Sequence, residues 1–160
     1  TQLCIRQLKK YVNRDTLVLD VGTGSGILGI TALKLGAKEV WGTDLDENAI
    51  NAVRENLEAN SIPEDRFHVL QGNIIDDVSV KEWAGYGKYD VAVANILADV
   101  IILLVDEIPA HLKKGGIFIT SGIIDMKEEA VKGGLWALSG AGSGGNHIPG
   151  RMGERDARRK

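Results

Sequence analysis

The feature that most constrains the fold is an apolar run that breaks into alternating glycines. Residues 17–30 read LVLDVGTGSGILGI, so a run of strand type is followed by Gly22, Gly24 and Gly26, and Asp20 lies two residues before the first glycine. Glycine adopts backbone dihedrals that other residues avoid and leaves no Cβ between the chain and a ligand. A helix that starts at Gly26 also directs free N–H groups toward an anion. The stretch is either a tight strand-to-helix turn or, as we expect, a ligand cradle.

The chain around this turn alternates between strand and helix patterns. Strands are predicted at 16–21, 39–44, 66–72, 89–95 and 116–122, and helices at 1–12, 25–37, 46–61 and 98–112, with Asp46 as the N-cap of the third helix. Strands that alternate with helices require right-handed crossovers and a mainly parallel sheet. We therefore predict an α/β domain with a doubly wound sheet, whose ligands bind beyond the carboxyl ends of the strands.

The C-terminal part of the chain has a different composition. A further helix is predicted from Met126, but residues 133–153 hold eight glycines and no apolar alternation that predicts a strand. We divide the chain into a ligand-binding domain at 1–132 and an anomalous glycine-rich end of the same domain at 133–160.

The amino-acid composition excludes several classes of function. No apolar run approaches the roughly 20 residues that cross a bilayer, and the single cysteine, Cys4, excludes an internal disulfide and suits a reducing cytoplasm. The last ten residues carry a local charge of +3, and subtracting it from the net charge of −3 leaves −6 for the rest. A body of that sign repels phosphate backbones. We expect a cytoplasmic protein, monomeric, that binds neither a membrane nor, directly, a nucleic acid.

Two ligand classes compete for the glycine turn. Gly24, Gly26 and Gly29 match the G-x-G-x-x-G pattern of dinucleotide-binding folds, and Asp44 follows Gly24 by 20 residues. Read from the end of the strand, however, the pattern is D-x-G-x-G-x-G, and the carboxylate of Asp20 disfavours a pyrophosphate. It favours a ligand with a cationic amine beside a carboxylate. S-adenosylmethionine is such a ligand, because its methionine end is zwitterionic and its sulfonium is positive.

Three motifs together resemble one family of enzymes. VLDVGTGSGILGI, GTDLDENAI and VANILAD, in this order and spacing, resemble the class I methyltransferases and, more narrowly, the PrmA family, which methylates ribosomal protein L11. The resemblance runs from Thr1 to about Lys132. It implies a Rossmann-like class I methyltransferase fold that ends in two antiparallel strands, S-adenosylmethionine as cofactor, and amino groups of the ribosomal protein as substrate. It also implies an N-terminal substrate-binding domain outside these residues.

The resemblance assigns the methionine end of the cofactor to the glycine turn. Asp20 is expected to lie near the methionine amine. The backbone of Gly22, Thr23, Gly24 and Gly26 is expected to cradle the methionine and ribose portions.

Three further positions complete the implied cofactor site. Asp44 ends the second strand, where its carboxylate can accept hydrogen bonds from both ribose hydroxyls; an N-cap role is the alternative, for which Asp46 is better placed. Asn73 could face the adenine amine, although a plain turn residue is nearly as common in such a position. Thr1 corresponds to a Thr-Thr pair that closes over the cofactor in the family, and only one threonine is present here.

Asn95 is the predicted catalytic residue and a further cofactor contact. Methyl transfer from a sulfonium is an in-line displacement, so much of the catalysis is alignment of a neutral amine. A side-chain carbonyl can accept an amine hydrogen without holding the amine charged, as a carboxylate would. The motif reads NILA, without the Pro-Pro-aromatic sequence of many amino-group methyltransferases. That matches the PrmA family but removes the usual aromatic wall, and a structural strand-end residue is the alternative.

Two other classes of function stay open, an NAD-dependent oxidoreductase and a non-catalytic cofactor-binding module. No Cys/His group has zinc spacing, so no metal is expected. The PrmA family normally ends in a strand resembling Gly-Glu-Trp-Val-Ser. A one-base shift in suitable codons for Arg151 to Asp156 spells Glu-Trp-Val-Ser-Val, and we hypothesise that residues 133–156 are a frame-shifted reading of that end.

Overall fold

A computed structural model describes residues 1–120 and the backbone of residues 137 and 138. The strands are β1 Leu17–Val21, β2 Glu39–Asp44, β3 Phe67–Gln71, β4 Tyr89–Ala94, β5 Leu112–Thr120 and β6 Ala137–Leu138. The helices are α1 Gln2–Tyr11, α2 Ile27–Lys34, α3 Asn48–Ala59, α4 Val78–Ala84 and α5 Ala98–His111, with a 3-10 turn at Glu64–Arg66. None of the helices in this part of the chain has the length and apolar composition that a membrane span requires.

The strands form one sheet in the order β3-β2-β1-β4-β5-β6, and every described pair is parallel. Val18 of β1 lies between Val40 of β2 and Val91 of β4. The strand order reverses at β1, because β2 lies on one side of it and β4 on the other. The predicted doubly wound α/β fold is therefore confirmed, and β1 lies at the switch point where such sheets bind ligands.

Two apolar cores cover the two faces of the sheet. Val18 faces the side of α1, α2 and α3, where it packs with Leu8, Leu33 and Leu57. Leu19, the next residue, faces the side of α4 and α5 with Leu104. This alternation follows from the two-residue period of a strand and explains why β1 reads as a continuous apolar run.

Four details differ from the sequence predictions. The helix α4 was not predicted, and β5 begins at Leu112 rather than 116, with a register irregularity against β4 that accommodates the extra residues. The N-cap of α3 is Glu47, not Asp46, although the Asp46 carboxylate accepts the Asn48 N–H at 2.9 Å. A two-residue strand, β6, occurs where none was predicted, because it can pair in parallel with the edge of β5.

The predicted helix from Met126, the two antiparallel C-terminal strands and the frame-shift hypothesis concern residues outside those described, apart from the two residues of β6.

Candidate active site

A cleft of about 460 Å³ opens at the carboxyl ends of the central strands. Its walls come from the segments that follow β1, β2, β3 and β4. The lining residues are Val21, Gly22, Thr43, Asp44, Leu45, Gly72, Asn73, Ile74, Ile75, Asn95, Ile96, Leu97, Val100 and Leu104. The cleft is where the topology predicts a ligand site.

The glycine loop, residues 22–26, has a backbone that only glycine adopts readily. Gly22, Gly24 and Gly26 have φ values of 69°, 55° and 82°. A Cβ at Gly22 would collide with Ile96 of the cleft, whereas a Cβ at Gly24 would meet open space. Gly22 is thus required by close packing, and Gly24 leaves its surroundings open to a ligand.

Asp20 lies beneath the loop rather than in the cleft wall. Its side chain is only 1% exposed, and its Oδ2 accepts hydrogen bonds from the Thr23 hydroxyl at 2.7 Å and from the Gly29 N–H at 3.1 Å. Burial raises the pKa of the Asp20 carboxyl from its usual value near 3.8 to about 6, against the lowering effect of these two hydrogen bonds. Asp20 therefore ties the loop to the start of α2 and leaves a buried negative charge under it at neutral pH.

Asp44 reaches the loop from the end of β2. Its Oδ2 accepts the Gly24 N–H at 2.7 Å, and its Oδ1 accepts the Asp46 N–H at 2.9 Å. The backbone of the same strand also holds the loop, because the Thr43 carbonyl accepts the N–H groups of Gly22 and Thr23. The Asp44 carboxylate is thus fixed in orientation at the cleft wall.

Asn95 and Thr1 are brought together at the cleft although 94 residues separate them. Asn95 Nδ2 donates to Thr1 Oγ1 at 2.7 Å. Thr1 is the N-cap of α1, yet its side chain makes no capping hydrogen bond there. The hydroxyl that could cap the helix instead holds the amide of Asn95.

Asn73 lines the cleft at the end of β3. Its Oδ1 accepts the Ile75 N–H at 3.0 Å, which is the hydrogen bond of a local turn. The structure therefore shows the turn role that the sequence allowed, at a position where the side chain also borders the cleft.

The predicted site residues divide into three groups. Gly22, Asp44, Asn73 and Asn95 line the cleft; Asp20 and the loop residues Thr23 and Gly26 are buried; Gly24 and Thr1 are exposed and bonded to cleft residues.

Sequence reasoning missed the apolar walls of the cleft. Leu45 is 69% exposed and Leu97 is 77% exposed, and each follows a strand end directly or within three residues. Ile74 and Val100 also line the cleft. The available signal was that several large apolar residues follow strand ends that meet at one edge of the sheet, since a contiguous exposed apolar patch marks a ligand or partner site.

The described residues offer no site for a metal ion, because no group of three or more His, Cys, Asp or Glu side chains among them could hold one.

Comparisons with known proteins point to one family of enzymes. The family model described as ribosomal protein L11 methyltransferase (PrmA) matches residues 1–138. A ribosomal protein L11 methyltransferase from Agathobacter rectalis is 56% identical over 135 residues, which cover 82% of this chain and 42% of that protein. The chain thus spans about two fifths of the length of this relative.

Solved structures show the same fold. The crystal structure of a ribosomal protein L11 methylase from Lactobacillus delbrueckii subsp. bulgaricus matches with a TM-score of 0.71 and 35% identity, covering 82% of this chain and 66% of that one. An S-adenosylmethionine dependent methyltransferase from Mesorhizobium loti shares the fold, with a TM-score of 0.58 and 21% identity, covering 74% and 51% of the two chains.

Proposed function

Since this chain belongs to the ribosomal protein L11 methyltransferase (PrmA) family, we propose that it carries the catalytic cleft of an S-adenosylmethionine-dependent N-methyltransferase that acts on amino groups of ribosomal protein L11. The observation that carries the proposal is the convergence of Asp44, the glycine loop and Asn95 on one cleft. Each supplies something that the reaction needs: an acceptor for the ribose, a cradle for the methionine end and an acceptor for the amine.

The residues of the cleft fit S-adenosylmethionine. The open space beside Gly24 allows the ligand to approach the loop backbone. The Asp44 carboxylate lies at the cleft wall, where it would accept ribose hydroxyls. Leu45 and Ile74 offer apolar surface suited to the faces of a purine. The buried negative charge of Asp20 favours a cationic ligand over an anionic one. When bound, the cofactor supplies an activated methyl group.

Asn95 would align the amine that receives the methyl group. The hydrogen bond from its Nδ2 to Thr1 orients the side-chain amide. The Oδ1 of this amide is the acceptor atom for a hydrogen of the amine. A neutral carbonyl directs the lone pair of the amine without favouring the charged ammonium form. The unperturbed pKa of a lysine amine is about 10.4, so this neutral acceptor matters for reactivity near pH 7.

A chimera with a relative tests this role. The part of this chain that aligns with the Agathobacter rectalis protein would replace the matching segment of that protein, and methyl transfer from S-adenosylmethionine to ribosomal protein L11 would be measured. We expect transfer by the chimera, and a loss on the order of 100-fold on Asn95→Ala, because misplacing a reacting group costs about that much. The affinity for S-adenosylhomocysteine should change far less than the rate.

Asn51→Ala is the matched control, because Asn51 is an exposed asparagine on α3 that does not line the cleft. It should leave the rate unchanged. Transfer at the parental rate by the Asn95→Ala chimera would show that Asn95 has only a structural role.

A further inference from the structure

Asn56 reaches out of α3 to the glycine loop. Its Nδ2 donates a hydrogen bond to the Ser25 carbonyl at 2.8 Å, across 31 residues of sequence. Asp44 accepts the N–H of the preceding loop residue, Gly24. We propose that Asn56 is a positioning residue for the cofactor, which holds the loop in the shape that the ligand requires; this rests on the function proposed above.

The loop needs such support because its conformation is entropically costly. Three of its five residues are glycines at positive φ, and glycine loses more conformational freedom on ordering than any other residue. A loop of this composition stays in one conformation only if hydrogen bonds from outside it select that conformation.

The peptide group between Ser25 and Gly26 shows how Asn56 selects the conformation. Its carbonyl accepts from Asn56, and its N–H donates to the Thr23 carbonyl at 2.8 Å. With both polar atoms bonded to different partners, the plane of this peptide is fixed. Among the described residues, this peptide makes no other hydrogen bond, so without Asn56 it would keep just the turn from the Gly26 N–H to the Thr23 carbonyl.

The helix that carries Asn56 is itself anchored against the loop. Val53 and Leu57, on either side of Asn56, are buried in the core. A methyl carbon of Val53 lies 3.0 Å from the point where a Cβ on Gly26 would be, so α3 and the loop are in close contact. The donor is thus presented by a fixed element rather than by a mobile surface side chain.

The choice of asparagine in the middle of α3 also needs an explanation. Asparagine is a weaker helix former than alanine, glutamate or lysine, because its side chain competes for backbone hydrogen bonds. The Asn56 side chain crosses to the loop through its Nδ2. Together, Asp44 and Asn56 fix adjacent loop residues from the same β2–α3 segment, one through an N–H and the other through a carbonyl.

Calorimetric titration of the 160-residue chain with S-adenosylhomocysteine tests the proposal. Asn56→Ala should weaken binding by about three- to tenfold, the effect of one lost hydrogen bond, and should keep the midpoint of thermal unfolding close to the parental value because alanine favours the helix. Asn60→Ala is the matched control: Asn60 Nδ2 also donates to a carbonyl, that of Asn56 at 2.7 Å, but does not touch the loop. It should leave the affinity unchanged.

A second variant gives a readout that a merely structural role would not produce. In Asn56→Asp the side chain can donate to the Ser25 carbonyl only when it is protonated. Relative to the parent at each pH, its affinity should be low from pH 8 to pH 5 and should recover only as pH falls toward about 4, near the ordinary pKa of aspartate.

The outcomes separate this role from the function on which it rests. A parent chain that does not bind S-adenosylhomocysteine would contradict the proposed function. If the parent binds, two results would overturn only the role of Asn56. One is that Asn56→Ala binds as tightly as the parent, and the other is that Asn60→Ala is weakened as much as Asn56→Ala.

Discussion

At the scale of single residues, Asp20 is a buried carboxyl whose charged form is disfavoured by the fold. A carboxyl buried beneath a loop is stabilised by two hydrogen bonds, yet desolvation still raises its pKa to about 6. The fold therefore retains a charge that works against its own stability at neutral pH. Such a cost is expected where a charge serves ligand binding.

The raised pKa of Asp20 predicts how stability depends on pH. Between about pH 3.8 and pH 6 the folded state holds the Asp20 proton more tightly than the unfolded state, so this contribution to stability is complete below pH 3.8 and is lost as pH rises through 6. Asp20→Asn cannot ionise. The free energy of unfolding of this variant, measured in urea, should rise relative to that of the parent between pH 4 and pH 8. The difference should grow by up to about 3 kcal/mol over this range.

Parallel pH profiles for the two proteins would mean that the Asp20 carboxyl is not perturbed by folding.

The residues of the site differ in how far sequence predicts them. Asp44 ends β2 and Asn95 directly follows β4. The ends of parallel strands meet at one edge of the sheet, so their shared cleft could be predicted. Asn56 could not, because its contact with Ser25 depends on the angle at which α3 packs on the loop. The same holds for the hydrogen bond between Thr1 and Asn95, which joins the start of α1 to the end of β4. The roles of the predicted residues in binding and catalysis stay predictions.

At the scale of elements, the close approach of α2 to the sheet places the glycine loop. Gly29 faces Val40 of β2 and Phe67 of β3, and a Cβ there would lie 2.8 Å from a methyl carbon of Val40 and closer still to the Phe67 ring. Its N–H is also the group that Asp20 accepts. A glycine in a helix interior is unfavourable in itself, so its presence reflects this packing.

Gly29→Ala should therefore destabilise the fold although alanine is the better helix former. Overpacking a core costs about 1–3 kcal/mol, against about 1 kcal/mol gained in helix propensity. Urea unfolding should show a net loss, and adding Phe67→Leu should recover part of it by relieving the overlap. Lys34→Ala, at an exposed position of the same helix, is the control and should have little effect. A Gly29→Ala protein as stable as the parent would show that α2 can move away from the sheet at no cost.

Most elements were predictable because their apolar periods are strong. The helix α4 was missed because it is short and its residues, VSVKEWA, show no clear apolar period. Its ends do carry signals: Asp77 accepts the Ser79 N–H as an N-cap, and Gly85 follows at a φ of 85°. Capping residues define the ends of short helices better than periodicity does.

At the scale of the whole molecule, the parallel topology gathers one set of functional groups at one edge. Every described strand pair is parallel, so the segments after β1, β2, β3 and β4 all open into the same cleft. Family membership and this topology together support the proposal that the cleft binds the cofactor. The pattern G-x-G-x-x-G at Gly24, Gly26 and Gly29 also occurs in dinucleotide-binding folds. The proposed function therefore depends on the chain binding S-adenosylmethionine and not NAD⁺.

Calorimetric titration of the chain with S-adenosylhomocysteine and, separately, with NAD⁺ tests that claim most directly. We predict saturable binding of S-adenosylhomocysteine at one site per chain, weakened at least tenfold by Asp44→Ala, because each hydrogen bond to a charged group contributes about 1.5–3 kcal/mol. NAD⁺ should bind weakly or not at all. Saturable binding of NAD⁺ in preference to S-adenosylhomocysteine, or an unchanged affinity in folded Asp44→Ala, would contradict the account.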